Sequence, residues 1–326
     1  MLVSKTPYRI SFFGGGSDYP DWYLKNGGEV ISATIDKYIY LTCKNLPNFF
    51  NLKYRIIYSK VENVNKISNI DHNAVRAALK HSNIKNGLEL HYHGDLPARS
   101  GMGSSSSFLV GLLNVLNSYK NKKLSKYDLA FESILFEQKV LKEKVGSQDQ
   151  IAATYGGFNS IKFFQDNTFQ VNSFRSKKKF INKLSNNLVL VYTGINRTAH
   201  DIASSFVSDL NKNKNKNIKN ILGYVDEAKK IINNENTRDF GLLLHETWIE
   251  KKELSKLISN QKIDDLYNFG LKNGALGGKL LGAGGGGFLL FYVDSNNKSN
   301  FIKKMEKRNT VVPFRFSDKG SEIVSL

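Results

Sequence analysis

The stretch Asp95-Leu-Pro-Ala-Arg-Ser-Gly-Met-Gly-Ser-Ser-Ser-Ser-Phe-Leu-Val110 decides how the rest of the chain is read. Gly101 and Gly103 let the backbone turn tightly and approach a ligand without a Cβ in the way. Ser104 to Ser107 favour a helix N-cap, where a hydroxyl accepts from N–H groups left without intrahelical partners. The run from Phe108 to Leu116 is apolar nearly all round, which predicts a buried helix. A buried helix with a glycine turn and hydroxyls at its positive end is an anion site. The natural anion is a polyphosphate, whose Mg²⁺ the serine hydroxyls could also reach. Taken alone, the stretch fits an ordinary capped helix equally well.

Working outward, 326 residues with 40% hydrophobic content supply a sizeable core and suggest two domains. No apolar run approaches the roughly 18 residues of a membrane-spanning helix. Met1 to Arg9 lacks the basic and apolar regions of a signal peptide. Cys43 is the single cysteine, so neither an internal disulfide nor a thiolate zinc cluster is expected. Together these features lead to an expected cytoplasmic location. The formal charge of +18 comes from 47 Lys+Arg against 29 Asp+Glu. It fits either a nucleic-acid surface or attraction of small anionic substrates. The lysines of 177–179 and 212–219 are not interleaved with aromatics, so they read as solvated surface. No nucleic-acid or membrane partner is expected.

Strands are expected at 2–13, 30–35, 38–44, 54–59 and 88–93, the second and third meeting at Asp36-Lys37, with a helix at 73–81. A helix over 125–144 opens on the capping-box pair Ser125 and Asp128 and closes at Gly146. Its apolar stripe, with Ala130, Ile134 and Leu141, contains Glu137, a carboxylate that needs either a lysine or a metal there. A hairpin follows at 158–174, and the polar segment 175–186 reads as a domain boundary. A strand at 188–193 then gives way to helices at 199–210, 218–232, 238–258 and 263–272. A strand at 288–293, a helix at 298–307 and two short strands complete an α+β chain with mainly antiparallel sheets. Gly282 to Gly287 spells G-x-G-x-x-G, but a strand follows it where a dinucleotide fold needs a helix. Asp239-Phe240-Gly241 lies in a helical pattern without a kinase catalytic loop before it and reads as chance. His91 and His93 share a strand face but lack a third ligand, so packing is the expected role.

Three stretches now form one pattern: Pro7 to Asp18, Leu96 to Ser107 and Gly282 to Phe288. In order and spacing they resemble the three motifs of the GHMP kinases. Within that family, Phe13 to Pro20, the four serines, Gly146-Ser-Gln-Asp-Gln150 and Tyr192 to Ala199 are most similar to the D-glycero-D-manno-heptose 7-phosphate kinases. Gly15-Gly16-Ser17 stands where other sugar kinases more often carry Gly-Glu-His, which argues against a galactokinase.

The resemblance implies a two-domain α+β fold with a cleft between the domains. Residues 1–180 would resemble the second domain of ribosomal protein S5, and 181–326 would form a ferredoxin-like α/β domain. ATP phosphates would lie against Pro97, Gly101, Met102, Gly103, Ser104, Ser105 and Ser106, with adenine in an apolar pocket among residues 40–115. Asp149, twelve residues after Glu137, would orient and deprotonate the anomeric hydroxyl, with Arg9 beside it. Glu137 and either Ser104 or Ser105 would hold Mg²⁺. Asp18 and Tyr19 would bind the sugar, Arg99 and Arg197 its distant phosphate, and Gly284 and Gly285 would let backbone approach the substrate. The implied reaction converts a heptose 7-phosphate to its 1,7-bisphosphate, and a homodimer is open. A fucose- or galactose-type sugar-1-kinase is the alternative within the family. A basic nucleic-acid-binding protein on the S5-like fold is the alternative outside it.

Overall fold

The computed structural model describes residues 1–196 and 199–325. Its first half alternates strands and helices: β1 (Leu2–Phe13), α1 (Pro20–Asn26), β2 (Gly28–Asn45), β3 (Tyr54–Ile57), β4 (Val61–Val64), α2 (Asn73–His81) and β5 (Leu88–Gly94). Then come α3 (Ser104–Tyr119), α4 (Lys126–Leu135), α5 (Gln148–Tyr155), β6 (Phe158–Phe163) and β7 (Phe169–Ser173). The second half runs α6 (Lys178–Asn187), β8 (Leu188–Tyr192), α7 (Ala199–Ser204), α8 (Asn215–Asn233), α9 (Thr237–Lys252) and α10 (Gln261–Lys272). It ends with β9 (Ala275–Leu280), β10 (Phe288–Val293), α11 (Ser295–Glu306), β11 (Val311–Val312) and β12 (Glu322–Ser325).

Among the described residues the strands form an eight-stranded sheet, ordered β12-β1-β2-β5-β3-β4 with β6 paired to β2 and β7 to β6, and a four-stranded sheet ordered β11-β8-β10-β9. Every pairing is antiparallel except β3 with β5. Helix α3 lies on β1 and β2, flanked by α2, α4 and α5. Helices α8 and α9 pack together between the sheets, with α8 against β1 and β2 and α9 against β9. Phe240 of α9 stands edge-on to Phe12 at 5.3 Å and Phe13 at 4.9 Å, so an aromatic seam joins α9 to the first sheet. Aromatic pairs at these separations add about 0.5–1.5 kcal/mol beyond their burial.

Several local expectations are corrected. Strand β2 is continuous across Asp36-Lys37, because β1 pairs with both its ends while β6 takes the first part and β5 the last. The polar segment 175–186, where no element was expected, holds most of helix α6, which buries Phe180 and Leu184. The helix expected to 144 ends at Leu135 and winds on as a π-helical turn over Phe136–Val140, closed by Leu141 N–H donating to the Phe136 carbonyl at 2.9 Å. Strand β9 precedes the glycine run 282–287, so that run joins two paired strands and leads into no helix. The last strand, β12, returns to pair with β1 through Leu2↔Ser325 to Lys5↔Glu322. The end of the second half therefore completes the first sheet.

That short pairing has a consequence. Beyond Lys5, β1 loses its β12 partner, and Pro7 has no N–H to give. The register with β2 shifts between Pro7 and Arg9, a bulge that re-aims the strand. Arg9 N–H then bonds the Met102 carbonyl at 3.1 Å, tying β1 to the glycine turn ahead of α3.

Candidate active site

Helix α3 starts differently from its serine pattern. Its N-cap is Gly103, left-handed at φ 74°, and no side chain caps it. Gly101 is also left-handed at φ 79°, where a Cβ would lie 2.5 Å from the Leu281 carbonyl. The serines begin the helix: Ser107 donates to the Pro7 carbonyl at 2.9 Å, and Ser104 accepts from Arg99 N–H at 3.1 Å. With no side-chain cap, the first-turn N–H groups remain for a ligand, a stronger anion site than a serine-capped helix.

This helix start opens on a cavity of about 400 Å³ between the sheets. Arg9 lies across it, only 3% exposed. Its Nε donates to Asp149 Oδ1 and its Nη2 to Asp149 Oδ2, both at 2.6 Å, and its Nη1 donates to the Gly101 carbonyl at 2.8 Å. A Cβ on Gly103 would stand 3.2 Å from Asp149 Oδ2, so the carboxylate sits directly beside the helix start. The pair is bidentate and charge-assisted, which fixes the Asp149 carboxylate in one orientation.

Glu137, 1% exposed, comes to the same helix through the π turn. Ser106 Oγ donates to its Oε1 and Oε2 at 3.1 and 2.9 Å, and Gln150 Nε2 donates to Oε2. Both partners are neutral. Burial, with Glu143 adding to it, lifts the Glu137 carboxyl to about 8 against these two donors. A buried carboxylate held by neutral donors is the group a divalent cation would complete. Among the described residues no three His, Cys, Asp or Glu cluster as a metal site. Mg²⁺ does not need one, since it keeps several waters and takes few carboxylates beside substrate phosphates. The residues present fit it.

Asp18, 2% exposed, accepts from Gly16 N–H at 2.9 Å, and its own carbonyl accepts from Ser147 N–H at 2.9 Å. A Cβ on Gly146 would fall 1.9 Å from Asp18 Oδ2, so the 146–149 segment can pass Asp18 only with glycine there. Burial lifts the Asp18 carboxyl to about 6; Gly16 N–H opposes this and the Asp149 charge adds to it. Tyr19 lines the cavity beside Asp18 and stands edge-on to Phe206 at 6.0 Å.

The structure thus gathers Arg9, Asp18, Tyr19, Arg99, Gly101, Gly103, Ser104, Ser105, Ser106, Glu137 and Asp149 around one cavity. Others lie elsewhere. Pro97 is exposed and outside the cavity lining. Met102 is a fully buried core residue that offers only its carbonyl, to Arg9. Gly284 and Gly285 wrap Ile258, where a Cβ on Gly284 would meet its Cα at 2.7 Å and Gly285 N–H bonds its carbonyl. Gly282, Ala283 and Gly286 face the cavity instead. Neither Ser104 nor Ser105 bonds Glu137; Ser106, the next residue, does. Arg197 lies outside the described residues.

Sequence reasoning missed Gln150 and Lys279. Gln150 flanks Asp149 in Gln148-Asp149-Gln150, and its completely buried amide was a signal only once Glu137 had been located. Lys279 is a lone charge in the otherwise apolar and glycine-rich run Ala275 to Leu281, the pattern of an inward cation.

Comparison with known proteins gives the same direction. Residues 69–157 match the GHMP kinases N terminal domain and residues 228–310 the GHMP kinases C terminal domain. The chain is 31% identical to the D-glycero-alpha-D-manno-heptose 7-phosphate kinase of Campylobacter jejuni, with 98% of this chain and 97% of that protein aligned. Its fold superposes with TM-score 0.83 on a D-glycero-D-manno-heptose 1-phosphate kinase from Bacteriodes thetaiotaomicron, at 23% identity over 100% and 99% of the two chains. It superposes with TM-score 0.76 on the Methanococcus jannaschii mevalonate kinase, at 25% identity over 97% and 98%.

Proposed function

The chain belongs to the GHMP kinase family, and from that membership we propose that it transfers the terminal phosphoryl group of ATP to the anomeric hydroxyl of D-glycero-D-manno-heptose 7-phosphate. The products would be the 1,7-bisphosphate and ADP. The observation that carries this reading is the Arg9–Asp149 pair set against the uncapped start of α3, which puts a fixed carboxylate beside an anion site. Identity across nearly the whole of a heptose 7-phosphate kinase supports the substrate.

In this reading residues 1–180 supply the phosphate cradle and the sugar carboxylate, and 181–326 supply the facing wall. The α3 N–H groups and the Gly101–Gly103 turn bind the ATP phosphates. Asp18 accepts from sugar hydroxyls, as a carboxylate can from two at once. Asp149 takes the proton of the anomeric hydroxyl as its oxygen bonds to phosphorus and the bond to the ADP oxygen breaks. Arg9 keeps Asp149 aimed and its charge balanced. Glu137, oriented by Ser106 and Gln150, would hold Mg²⁺, with Ser104 and Ser105 at the same helix start. When bound, the ion neutralises phosphate charge. In this reading a reaction that uses ATP as phosphoryl donor runs in the cytoplasm. No helix among the described residues is long and apolar enough to cross a membrane.

The test is a panel of sugars and sugar phosphates incubated with ATP and Mg²⁺, product regiochemistry being read by phosphorus NMR. A new anomeric phosphate formed only on the heptose 7-phosphate supports the reading. Turnover of free fucose or galactose instead would replace the substrate. No phosphoryl transfer to any acceptor would refute it.

A further inference from the structure

Lys279 is the buried cation that the mechanism above leaves unused. It sits in β9 opposite Leu290, is 4% exposed, and lines the cavity. Its Nζ reaches across from the second sheet to donate to the Phe12 carbonyl at 2.5 Å. The β1–β2 register shifts between Ser11 and Phe13, and Phe12 is the residue at that irregularity. Among the described residues no carboxylate pairs with Lys279, although Arg9, whose charge acts on it, has Asp149.

An ammonium is an expensive way to satisfy one carbonyl. A neutral amide would do so without burying a charge, and an unpaired buried charge is costly. Lys279 has three N–H donors, of which Phe12 takes one. The other two, with the positive charge, stand in a cavity already built to receive anions. Burial draws its pKa down to about 7, with Arg9 adding to the effect, so an arriving anion would favour the charged form.

We propose that the Lys279 ammonium is an anion contact of the cleft that binds a phosphate oxygen of a substrate. The inference deepens the kinase reading and rests on it. Two substrate phosphates share the required chemistry: the terminal phosphate of the nucleotide and the phosphate carried by the sugar.

Calorimetric titration of wild type, Lys279→Gln and Lys279→Met separates them with two ligand pairs in Mg²⁺. One pair is ADP and β,γ-imido-ATP; the other is the heptose and its 7-phosphate. The expected result is that both variants weaken the phosphate-bearing member of one pair at least about tenfold more than its counterpart. Lys279→Arg restores most of that difference. The pair affected identifies the phosphate. Lys279→Gln keeps a donor for the Phe12 carbonyl, so it carries the comparison if Lys279→Met does not fold. Equal changes within both pairs, or none, would make Lys279 a strut between the sheets and overturn the proposal. If wild type binds the nucleotides but neither sugar, the heptose substrate fails, and the nucleotide pair alone decides Lys279.

Discussion

Replacing Glu137 by Gln should make the metal-free protein less sensitive to alkali while destroying its activity. The carboxyl is buried beside two neutral donors, and its pKa rises from an ordinary 4.5 to about 8. Across that window the folded state keeps a proton that the unfolded chain has shed. Stability is therefore fully present below pH 4.5 and is lost as pH rises towards 8. At about 1.4 kcal/mol per pH unit the whole span is worth at most about 5 kcal/mol, of which about 2 kcal/mol falls between pH 6 and 8. Asp18 adds a slope of the same sign, but its window runs from 3.8 to about 6. Lys279, lowered from 10.5 to about 7, acts with the opposite sign above pH 7. Comparing wild type with Glu137→Gln cancels both. Urea unfolding in EDTA, followed by the fluorescence of buried Trp22 and Trp248, should show wild type losing about 2 kcal/mol more than the variant between pH 6 and 8. The glutamine keeps an oxygen for Ser106 and Gln150, so packing is preserved, yet turnover with Mg²⁺ should fall at least about a hundredfold. Parallel pH dependences for the two proteins would refute the account of Glu137 as an uncompensated buried acid.

Arg9→Ala removes both 2.6 Å bonds to Asp149 and should lower kcat about a hundredfold while leaving nucleotide affinity nearly intact; an unchanged kcat in steady-state assays would count against the orienting role. Ionised, Asp18 accepts from two sugar hydroxyls at once and loses part of that capacity on protonation, so KM for the sugar should rise as pH falls below about 6, and Asp18→Asn should remove that contribution to the pH dependence. Gly146→Ala puts a methyl group 1.9 Å from Asp18 Oδ2 and should raise the sugar KM about tenfold or more with little change for ATP; equal effects on both substrates would show a general disruption of the cleft.

The helix start at 104 was legible because glycine turns and an apolar run are local signals. The three motif stretches were legible as a family pattern that named Arg9 and Asp18, and the Glu137-to-Asp149 interval, read through the same resemblance, named the other two acids; all four line one cavity. The capping role given to the serines was not borne out, since Gly103 takes the cap position and Ser106 and Ser107 serve Glu137 and Pro7 instead. A uniform helical stripe over 125–144 hid the π turn at Phe136, because periodicity sets which face is buried but not where one residue is inserted into the turn. The three-residue lysine run at 177–179 hid α6, whose inward face is carried by Phe180 and Leu184.

By itself the sequence determined the α+β class, from strand and helix patterns along the chain, and the buried glycine-led helix, from one short stretch, while the acids and arginine at its mouth were named by the resemblance to the family motifs. Tertiary structure alone decided which serine meets Glu137, which glycines face the cleft, and that Lys279 of the second sheet reaches the Phe12 carbonyl of the first. Those contacts join residues far apart in the chain, and their geometry follows from the bulges in β1 and the packing of two sheets through α8 and α9. Local propensity carries no record of either.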